Sequence, residues 1–263
     1  MSKTSMKSLA DRFAGLHQQN NPVVLVNVWD AWSAKVCEAA GHPAVATSSF
    51  SLAESLGFND GQKVPLHLLL AAVENISRSV SVPLTVDFEA GFGDSPRQVG
   101  DAVDRVIVAG AVGINLEDGL ARGERLLVEA EQHCEKIARA RAVAAQRDVP
   151  LFINARFDGV LLEKKQTDTL VDEAIRRADL YRAAGASGLF VPGLTELPLI
   201  GRLSRSIDLP LNIMMMPGGP SVAELASAGV SRVSLGPWPF EYLRRSFRRT
   251  VEEFATRSDV FFS

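Results

Sequence analysis

The sequence predicts an α/β fold of the (β/α)8 barrel class, and two observations support this. Eight apolar, β-rich segments recur along the 263 residues, and most are too continuously apolar to be strands with only one buried face. Helical patterns fill the intervals, and four of them end in Ala-Gly just before the next strand, where glycine suits the left-handed residue that closes a helix. The strand segments are 23–30, 44–49, 84–91, 111–118, 151–158, 188–193, 211–219 and 230–238. Repeated strand–helix alternation of this kind is typical of a single closed barrel.

The helices follow from the spacing of apolar residues. An extra helix is predicted at about 5–19, before the first strand. Residues 65–80 and 97–110 repeat apolar positions at intervals of three and four, which is the period of a helix with one buried face. A last helix is predicted at about 240–256. Because no linker-like or low-complexity stretch interrupts the alternation, we expect one barrel domain over residues 1–263.

Composition narrows the class of protein. The chain is 46% hydrophobic and 22% charged with a net charge of −3, which suits a folded protein with a sizeable core. The one dense basic cluster has the spacing of a solvated helix face, with Tyr242, Phe247 and Val251 behind it, so we expect no nucleic-acid partner. We see no signal peptide and no apolar run long enough for a membrane span, and Cys37 and Cys134 form no disulfide or metal pattern. We therefore expect a cytoplasmic protein without a membrane partner.

Carboxylates follow two neighbouring strands. Asp87 and Glu89 end the third strand segment, where residues two apart share a face, and Glu117 and Asp118 end the fourth. In barrels of this class the chemistry lies at the carboxyl ends of the strands. Ionised carboxylates crowded in a pocket either acquire raised pKa values or bind a cation, and oxygen ligands favour Mg²⁺ or Mn²⁺. The alternative is a solvated strand end whose acids pair with lysine or arginine.

Four motifs make the chain recognisable. The sequences "DFEAGFG" (87–93) and "GINLEDG" (113–119), with "TSSFSLAESLGFND" (47–60) and "INARFD" (153–158), resemble the isocitrate lyase/phosphoenolpyruvate mutase superfamily. The similarity runs through about residues 20–240. The resemblance implies a Mg²⁺-dependent enzyme that acts on 2-oxo or 2-hydroxy acids through an enolpyruvate-type intermediate.

The resemblance also assigns the metal and catalytic residues. The acids that match Asp87, Glu89 and Glu117 hold the metal in that superfamily, directly or through water. The acid that matches Asp60 supports the shell of the metal. We accordingly expect Asp60, Glu117 and Arg156 to be catalytic.

The resemblance also assigns the substrate-binding residues. The serine that matches Ser48 and the adjacent backbone amides, those of Ser49 and Phe50, bind the substrate carboxylate in the superfamily, and Asp87 adjoins the substrate. The arginine that matches Arg156 holds the other anionic end, because a guanidinium can engage a carboxylate in a bidentate manner. A structural ion pair between Arg156 and Asp158 is the alternative.

The sequence departs from the superfamily pattern in two places. The lyase branch has a long loop with a Lys-x-Cys-Gly-His motif after the fourth strand. The corresponding segment here, residues 117–137, is short and lacks that motif. Cys134 lies on a helical stripe and is predicted to be a structural thiol. The mutase branch has a histidine after the sixth strand where Pro192 stands here, which disfavours phosphonate rearrangement.

These features predict a Mg²⁺-dependent lyase of an oxaloacetate-decarboxylase-like or uncharacterised branch. It would cleave a C–C bond of a small 2-oxo or 2-hydroxy di- or tricarboxylic acid by decarboxylation or retro-aldol chemistry, with the final proton from water or Glu124. P–C bond chemistry on phosphonopyruvate-like compounds, or a barrel that binds 2-oxo acids without turnover, remain alternatives. The resemblance further implies a homotetramer in which the helix at about 240–256 is exchanged between neighbours.

Overall fold

Nine parallel strand segments form a closed barrel in the computed structural model, which describes residues 3–119 and 125–256. They are β1 (Val23–Leu25), β2 (Asn27–Val28), β3 (Val45–Thr47), β4 (Leu84–Asp87), β5 (Gly113–Glu117), β6 (Phe152–Arg156), β7 (Gly188–Phe190), β8 (Leu211–Met214) and β9 (Arg232–Ser234). β1 pairs with β9 and β2 pairs with β3, so these two segments together act as the first barrel strand. The predicted (β/α)8 class is confirmed, with the first strand interrupted at Val26.

Helices surround the barrel. In the described ranges they are α1 (Lys3–Gly15), α2 (Ala31–Ala39), α3 (Ser49–Ser55), α4 (Leu66–Ser77), α5 (Pro96–Val108), α6 (Ala130–Gln146), α7 (Gly159–Glu163), α8 (Asp168–Ala183), α9 (Leu197–Ser206), α10 (Val222–Ser227) and α11 (Trp238–Thr256). The predicted N-terminal and C-terminal helices are present as α1 and α11. α1 ends at Gly15, four residues earlier than expected. The short helices α3 and α7, which follow β3 and β6 directly, were not predicted.

α1 closes the amino-terminal end of the barrel. Its Phe13 side chain is fully buried and meets the Phe152 ring edge-on, with 5.5 Å between the ring centroids. His17, just beyond the helix, stacks on the same Phe152 ring at 4.0 Å. A Cβ on Gly113 would lie 2.9 Å from the Phe13 ring, so this strand position needs glycine to admit it. The packing leaves the opposite, carboxyl-terminal end of the barrel open.

The barrel interior is polar, although the sequence suggested strands buried in apolar surroundings on both faces. Asn154 Nδ2 donates to Asn115 Oδ1 at 2.9 Å and to Asn212 Oδ1 at 3.0 Å, and Arg232 Nη2 donates to Asn115 Oδ1 at 3.2 Å. All four side chains are buried. The apolar residues of the strands alternate with these polar ones and face the helices, as the strand period of two requires.

α11 carries an apolar face that one copy of the chain leaves exposed. Trp29 meets Phe240 at the start of this helix, with 5.0 Å between the ring centroids. Further along, the exposed fraction is 71% for Tyr242, 67% for Phe247 and 51% for Val251. A single copy therefore leaves exposed the apolar side chains that lie behind the predicted basic face. No helix in the described part of the chain is both long and apolar enough to span a membrane.

Candidate active site

A cavity of about 340 Å³ opens at the carboxyl ends of the strands. Every residue predicted for the site lines it: Ser48, Ser49, Phe50, Asp60, Asp87, Glu89, Glu117 and Arg156. The cavity also contains two charged residues that were not among the predicted site residues, Arg125 and Asp158. Five carboxylates therefore face two guanidinium groups among the described lining residues.

Strand register brings the central ion pair together. Glu117 of β5 is the register partner of Arg156 on β6, and both side chains point into the barrel. Arg156 Nη1 donates to Glu117 Oε2 at 2.7 Å, while Nε and Nη2 bind the two oxygens of Asp158 at 2.6 and 3.0 Å. Burial alone would lower the pKa of Arg156, but the carboxylates of Asp158, Glu117 and Asp87 outweigh burial and raise it. The ion pair with Asp158, considered as an alternative from the sequence, is present, and Arg156 still lines the cavity.

Asp158 depends on a glycine in the preceding strand's loop. A Cβ on Gly119 would lie 2.3 Å from the Asp158 Cβ, so the third residue of the "EDG" sequence has no room for a side chain. The backbone N–H of Asp158 donates to Asp118 Oδ1 at 2.9 Å. These contacts fix Asp158 where its carboxylate can hold Arg156.

Glu89 reaches the cavity through a turn. β4 ends at Asp87, so the expectation that the strand continues past Glu89 is wrong. Glu89 has a φ of 45°, in the left-handed region, and its carboxylate accepts a hydrogen bond from the backbone N–H of Gln62. Burial, followed by the charges of Asp87 and Asp60, raises the pKa of Glu89 to about 8. The motif places two acids in one cavity by a turn rather than by strand alternation.

Three carboxylate oxygens in the cavity have no hydrogen-bond partner although they are buried. They are Asp60 Oδ1, Asp87 Oδ1 and Glu117 Oε1. Burial raises the pKa of Glu117 to about 8 against the opposing effect of Arg156. Unpartnered carboxylate oxygens from three separate elements fit a hard divalent cation such as Mg²⁺. In the described residues no three Asp, Glu, His or Cys side chains already form a ligand set, so Mg²⁺ would need side-chain rotation or bridging waters, which it commonly retains.

Asp118 points away from the cavity. Its Oδ2 atom accepts hydrogen bonds from Arg177 Nη1 at 2.9 Å and from the Tyr181 hydroxyl at 2.5 Å, both on α8. Burial raises the pKa of Asp118 to about 6, although the hydrogen bond from Tyr181 opposes this. Of the four strand-end acids, at least three were expected to share one pocket; Asp87, Glu89 and Glu117 line the cavity. Asp118 does not, because successive residues of an extended chain face opposite sides of the barrel wall.

The serines at the start of α3 already have partners. Ser49 donates from its backbone N–H and from Oγ to Asp87 Oδ2, at 3.2 and 2.8 Å. Ser48 Oγ accepts from the Ser51 backbone N–H at 3.2 Å and caps the helix. Both residues line the cavity beside Phe50, so the helix start is anchored to an acid of the candidate metal site.

Arg125 is a charged lining residue that the sequence analysis did not consider. Its Nη2 atom binds Asp60 Oδ2 at 2.7 Å, and its Nη1 atom lies 3.9 Å from Glu117 Oε1 and 3.8 Å from Asp158 Oδ2. The available signal was a basic residue in the short loop that follows the "EDG" sequence. Glu124, the other residue considered in that loop, lies outside the described residues.

The remaining wall of the cavity is largely apolar. Phe190, Pro192 and Met214 line it, together with Leu161 and Pro237. These side chains offer no charge to a substrate, and they limit access of water to the part of the cavity that they line.

Cys134 lies elsewhere. It is a free, half-buried thiol on α6 that packs against the core, and burial raises its pKa. It is not among the residues that line the cavity. This placement agrees with the predicted structural role.

The sequence is similar to known proteins along most of its length. A profile described as phosphoenolpyruvate phosphomutase matches residues 13–255. The 2-methylisocitrate lyase of Escherichia coli (strain K12) is 31% identical over 238 residues, 86% of this chain and 78% of that protein. An oxaloacetate decarboxylase of Rhodopseudomonas palustris (strain TIE-1) is 31% identical over 191 residues, 70% of this chain and 63% of that protein. A crystal structure from Burkholderia cenocepacia J2315, provisionally named a phosphonomutase, has a TM-score of 0.90 at 38% identity and covers 94% of this chain and 98% of that one.

The first prediction concerns Asp118, the acid that directly follows β5. Asp118→Asn should destabilise the fold by about 3 kcal/mol, because it removes the negative charge that faces the buried Arg177 and leaves Glu173 as the one carboxylate bonded to that arginine among the described residues. In a chain of this size we expect the melting temperature to fall by roughly 6–12 °C. Asp148→Asn is the matched control, since that acid is exposed and pairs with Lys7 at the surface. Equal melting temperatures for the two variants would contradict the structural role of Asp118.

The second prediction concerns pH. Folded Glu89 keeps its proton up to a pKa of about 8, whereas the unfolded chain releases it near 4.5, so the folded state binds more protons between these values. The stabilisation is fully present below about pH 4.5 and is lost as the pH rises through about 8. Thermal melts of metal-free protein from pH 5 to 8 should show the parent losing stability relative to Glu89→Gln. Parallel pH profiles would refute a buried, neutral Glu89.

Proposed function

The chain belongs to the phosphoenolpyruvate phosphomutase family, within the isocitrate lyase/phosphoenolpyruvate mutase superfamily of enzymes, and we propose that it is a Mg²⁺-dependent carbon–carbon lyase acting on a small 2-oxo or 2-hydroxy acid. The observation that carries the proposal is the cavity at the strand ends. It gathers five carboxylates and two arginines, and three carboxylate oxygens there lack hydrogen-bond partners. A divalent cation would offset part of this excess negative charge, and the two guanidinium groups offer positive charge to an anionic substrate.

We assign the metal to the acidic side of the cavity. Asp87, Glu89 and Glu117 would hold Mg²⁺ or Mn²⁺ directly or through water, and Asp60 would support its hydration shell. When bound, the ion supplies a Lewis acid that stabilises negative charge on a developing enolate. The site fits this role because the unpartnered oxygens of Asp60, Asp87 and Glu117 come from separate segments of the chain that line the same cavity.

We assign the substrate to the region between α3 and Arg156. The start of α3, with Ser48, Ser49 and Phe50, would bind one carboxylate of the substrate. Arg156 contributes its positive charge to the other anionic end while it keeps Glu117 and Asp158 in place. Asp87, which accepts a hydrogen bond from Ser49, would contact both the metal and the substrate.

Among carbon–carbon cleavages, we favour decarboxylation of an oxaloacetate-like substrate. Loss of CO₂ needs no base to begin it, and the chain lacks the loop cysteine motif of the lyase branch. The apolar wall formed by Phe190, Pro192 and Met214 would limit access of water to the enolate that forms. The similarity to a protein named oxaloacetate decarboxylase supports this choice. A proton from water, or from Glu124 in the loop outside the described residues, would complete the reaction.

The test of function is a turnover screen on oxaloacetate, 2-methylisocitrate and phosphonopyruvate with Mg²⁺. Release of pyruvate and CO₂ supports decarboxylation, and cleavage of 2-methylisocitrate supports retro-aldol chemistry. Release of phosphate would instead favour P–C bond chemistry, and binding without turnover would favour a 2-oxo acid binding barrel. Either of the last two results would contradict the proposed carbon–carbon lyase.

The matched variant for this screen is Asp87→Asn. It should lower kcat/KM at least about 100-fold, because it weakens divalent binding and removes a charge at the reacting end. The melting temperature of the metal-free protein should stay the same or rise, because one of several crowded negative charges is removed. Asp101→Asn, an exposed acid on α5, should change neither property. Parent-like Mg²⁺ binding by Asp87→Asn in calorimetry would show that the metal site is misassigned.

For assembly, we propose a homotetramer in which α11 is exchanged between neighbouring copies. The exposed apolar face of α11 supports this, because monomeric proteins seldom expose such a continuous apolar surface. We also assign the protein to the cytoplasm, with Cys37 and Cys134 as free thiols.

Light scattering at micromolar concentration should give a mass near four times the 28.4 kDa of one chain. Phe247→Asp should dissociate the assembly, because it places a charge in the face of α11 that a neighbouring copy would cover. Val108→Asp, an equally exposed apolar position on α5, serves as the control and should leave the mass unchanged. A parent mass near 28.4 kDa would refute the tetramer.

A further inference from the structure

Two arginines in the cavity are held very differently. Arg156 is buried, with a side-chain exposure of 10%, and three of its nitrogen atoms are engaged with the carboxylates of Glu117 and Asp158. Arg125 has a side-chain exposure of 45% and makes one close ion pair, with Asp60. The folded barrel therefore fixes Arg156 through several ion pairs. Arg125, in contrast, can leave its position by breaking one close ion pair.

Arg125 also lies beside the candidate metal ligands. Its Nη1 atom is 3.9 Å from Glu117 Oε1, one of the oxygens without a hydrogen-bond partner, and its Nη2 atom holds Asp60, whose other oxygen also has none. The guanidinium therefore neutralises part of the same negative charge that a divalent cation would neutralise. Two cations that compete for the same carboxylates weaken one another's binding.

We propose that Arg125 is an exchangeable counter-ion of this site: Mg²⁺ displaces its guanidinium from Asp60 and Glu117, and Arg125 then binds a carboxylate of the substrate. The metal half of this inference depends only on the contacts of Arg125, and the substrate half rests on the proposed function. Arg125 would thus couple the two binding events, because the metal both occupies the acids and releases the cation that the anionic substrate needs.

Charge balance supports the substrate half. With all five lining carboxylates ionised, the two guanidinium groups and one bound Mg²⁺ still leave the site negative, so a dianionic substrate meets excess negative charge unless a cation turns towards it. The Nε and Nη2 atoms of Arg156 are committed to Asp158. Arg125, once released, can offer a carboxylate the planar fork of N–H groups that suits bidentate binding.

The first experiment measures metal binding without substrate. Calorimetric titration of MgCl₂ or MnCl₂ should show that Arg125→Gln binds the ion roughly three- to tenfold more tightly than the parent, because a competing and partly exposed cation is removed. Arg125→Lys keeps the charge and should stay close to the parent. Arg176→Gln, an exposed arginine of α8 that pairs with Glu173 and Glu131, is the control and should leave metal affinity unchanged.

The second experiment measures binding of oxalate, a stable dianion, at saturating Mg²⁺. Arg125→Gln should weaken oxalate binding at least about tenfold, Arg125→Lys should weaken it less, and Arg176→Gln should not change it. A merely structural role for Arg125 would lower both affinities together, whereas exchange predicts tighter metal and weaker oxalate in the same variant. Melting curves confirm that each variant is folded.

The outcomes separate this inference from the proposed function. If the parent binds Mg²⁺ and oxalate but Arg125→Gln binds the metal no more tightly, or binds oxalate equally well, the exchange is refuted and the lyase proposal stands. If the parent binds neither Mg²⁺ nor oxalate, both the proposed function and the exchange are refuted.

Discussion

The site depends on one buried guanidinium. Arg156 lies among Glu117, Asp158 and Asp87, and its interaction with these acids keeps a positive charge inside the barrel at the end of β6. Burying ions is costly unless each has partners with good geometry. Here strand register supplies the pair with Glu117, and the backbone turn after β6 supplies Asp158. Asp60 pairs instead with Arg125, and Glu89 accepts a hydrogen bond from the backbone N–H of Gln62.

Glu117, the last residue of β5, and Asp118, which follows it, show how the barrel divides its polar groups. Glu117 faces the cavity and pairs with Arg156, whereas Asp118 faces α8 and binds Arg177 and Tyr181. The two networks are joined by hydrogen bonds: the backbone N–H of Asp158 donates to the Asp118 carboxylate, and the backbone N–H of Asp118 donates to the carbonyl oxygen of Arg156. The acid that holds the fold thus also helps to position the acid that holds the central arginine. Stability and site geometry are coupled through these hydrogen bonds.

Beneath the charged residues, hydrogen-bonded amides replace the aliphatic layers that usually fill such a barrel. Asn115 connects the two regions, because it lines the cavity and also accepts hydrogen bonds from Asn154 and Arg232 inside the barrel. At the far end the ring of Phe13 on α1 excludes solvent. A polar interior that is open at one end and closed at the other suits a site for ions and small anionic molecules.

The sequence by itself determined the fold class and the main candidate residues of the site. Alternating strand and helix patterns specify a barrel, and the carboxyl ends of its strands meet at one end, so residues such as Asp87 and Glu117 were identifiable as neighbours. The side on which each acid lies was decided by tertiary structure. β4 ends at Asp87 and Glu89 arrives through a left-handed turn. Alternation turns Asp118 away from the cavity, and folding brings its donors Arg177 and Tyr181 on α8 to it. Arg125 lies in a stretch of sequence without strand or helix periodicity, and its place in the site became visible only from its ion pair with Asp60. Sequence patterns encode which residues alternate, but contacts between distant segments exist only once the chain has folded.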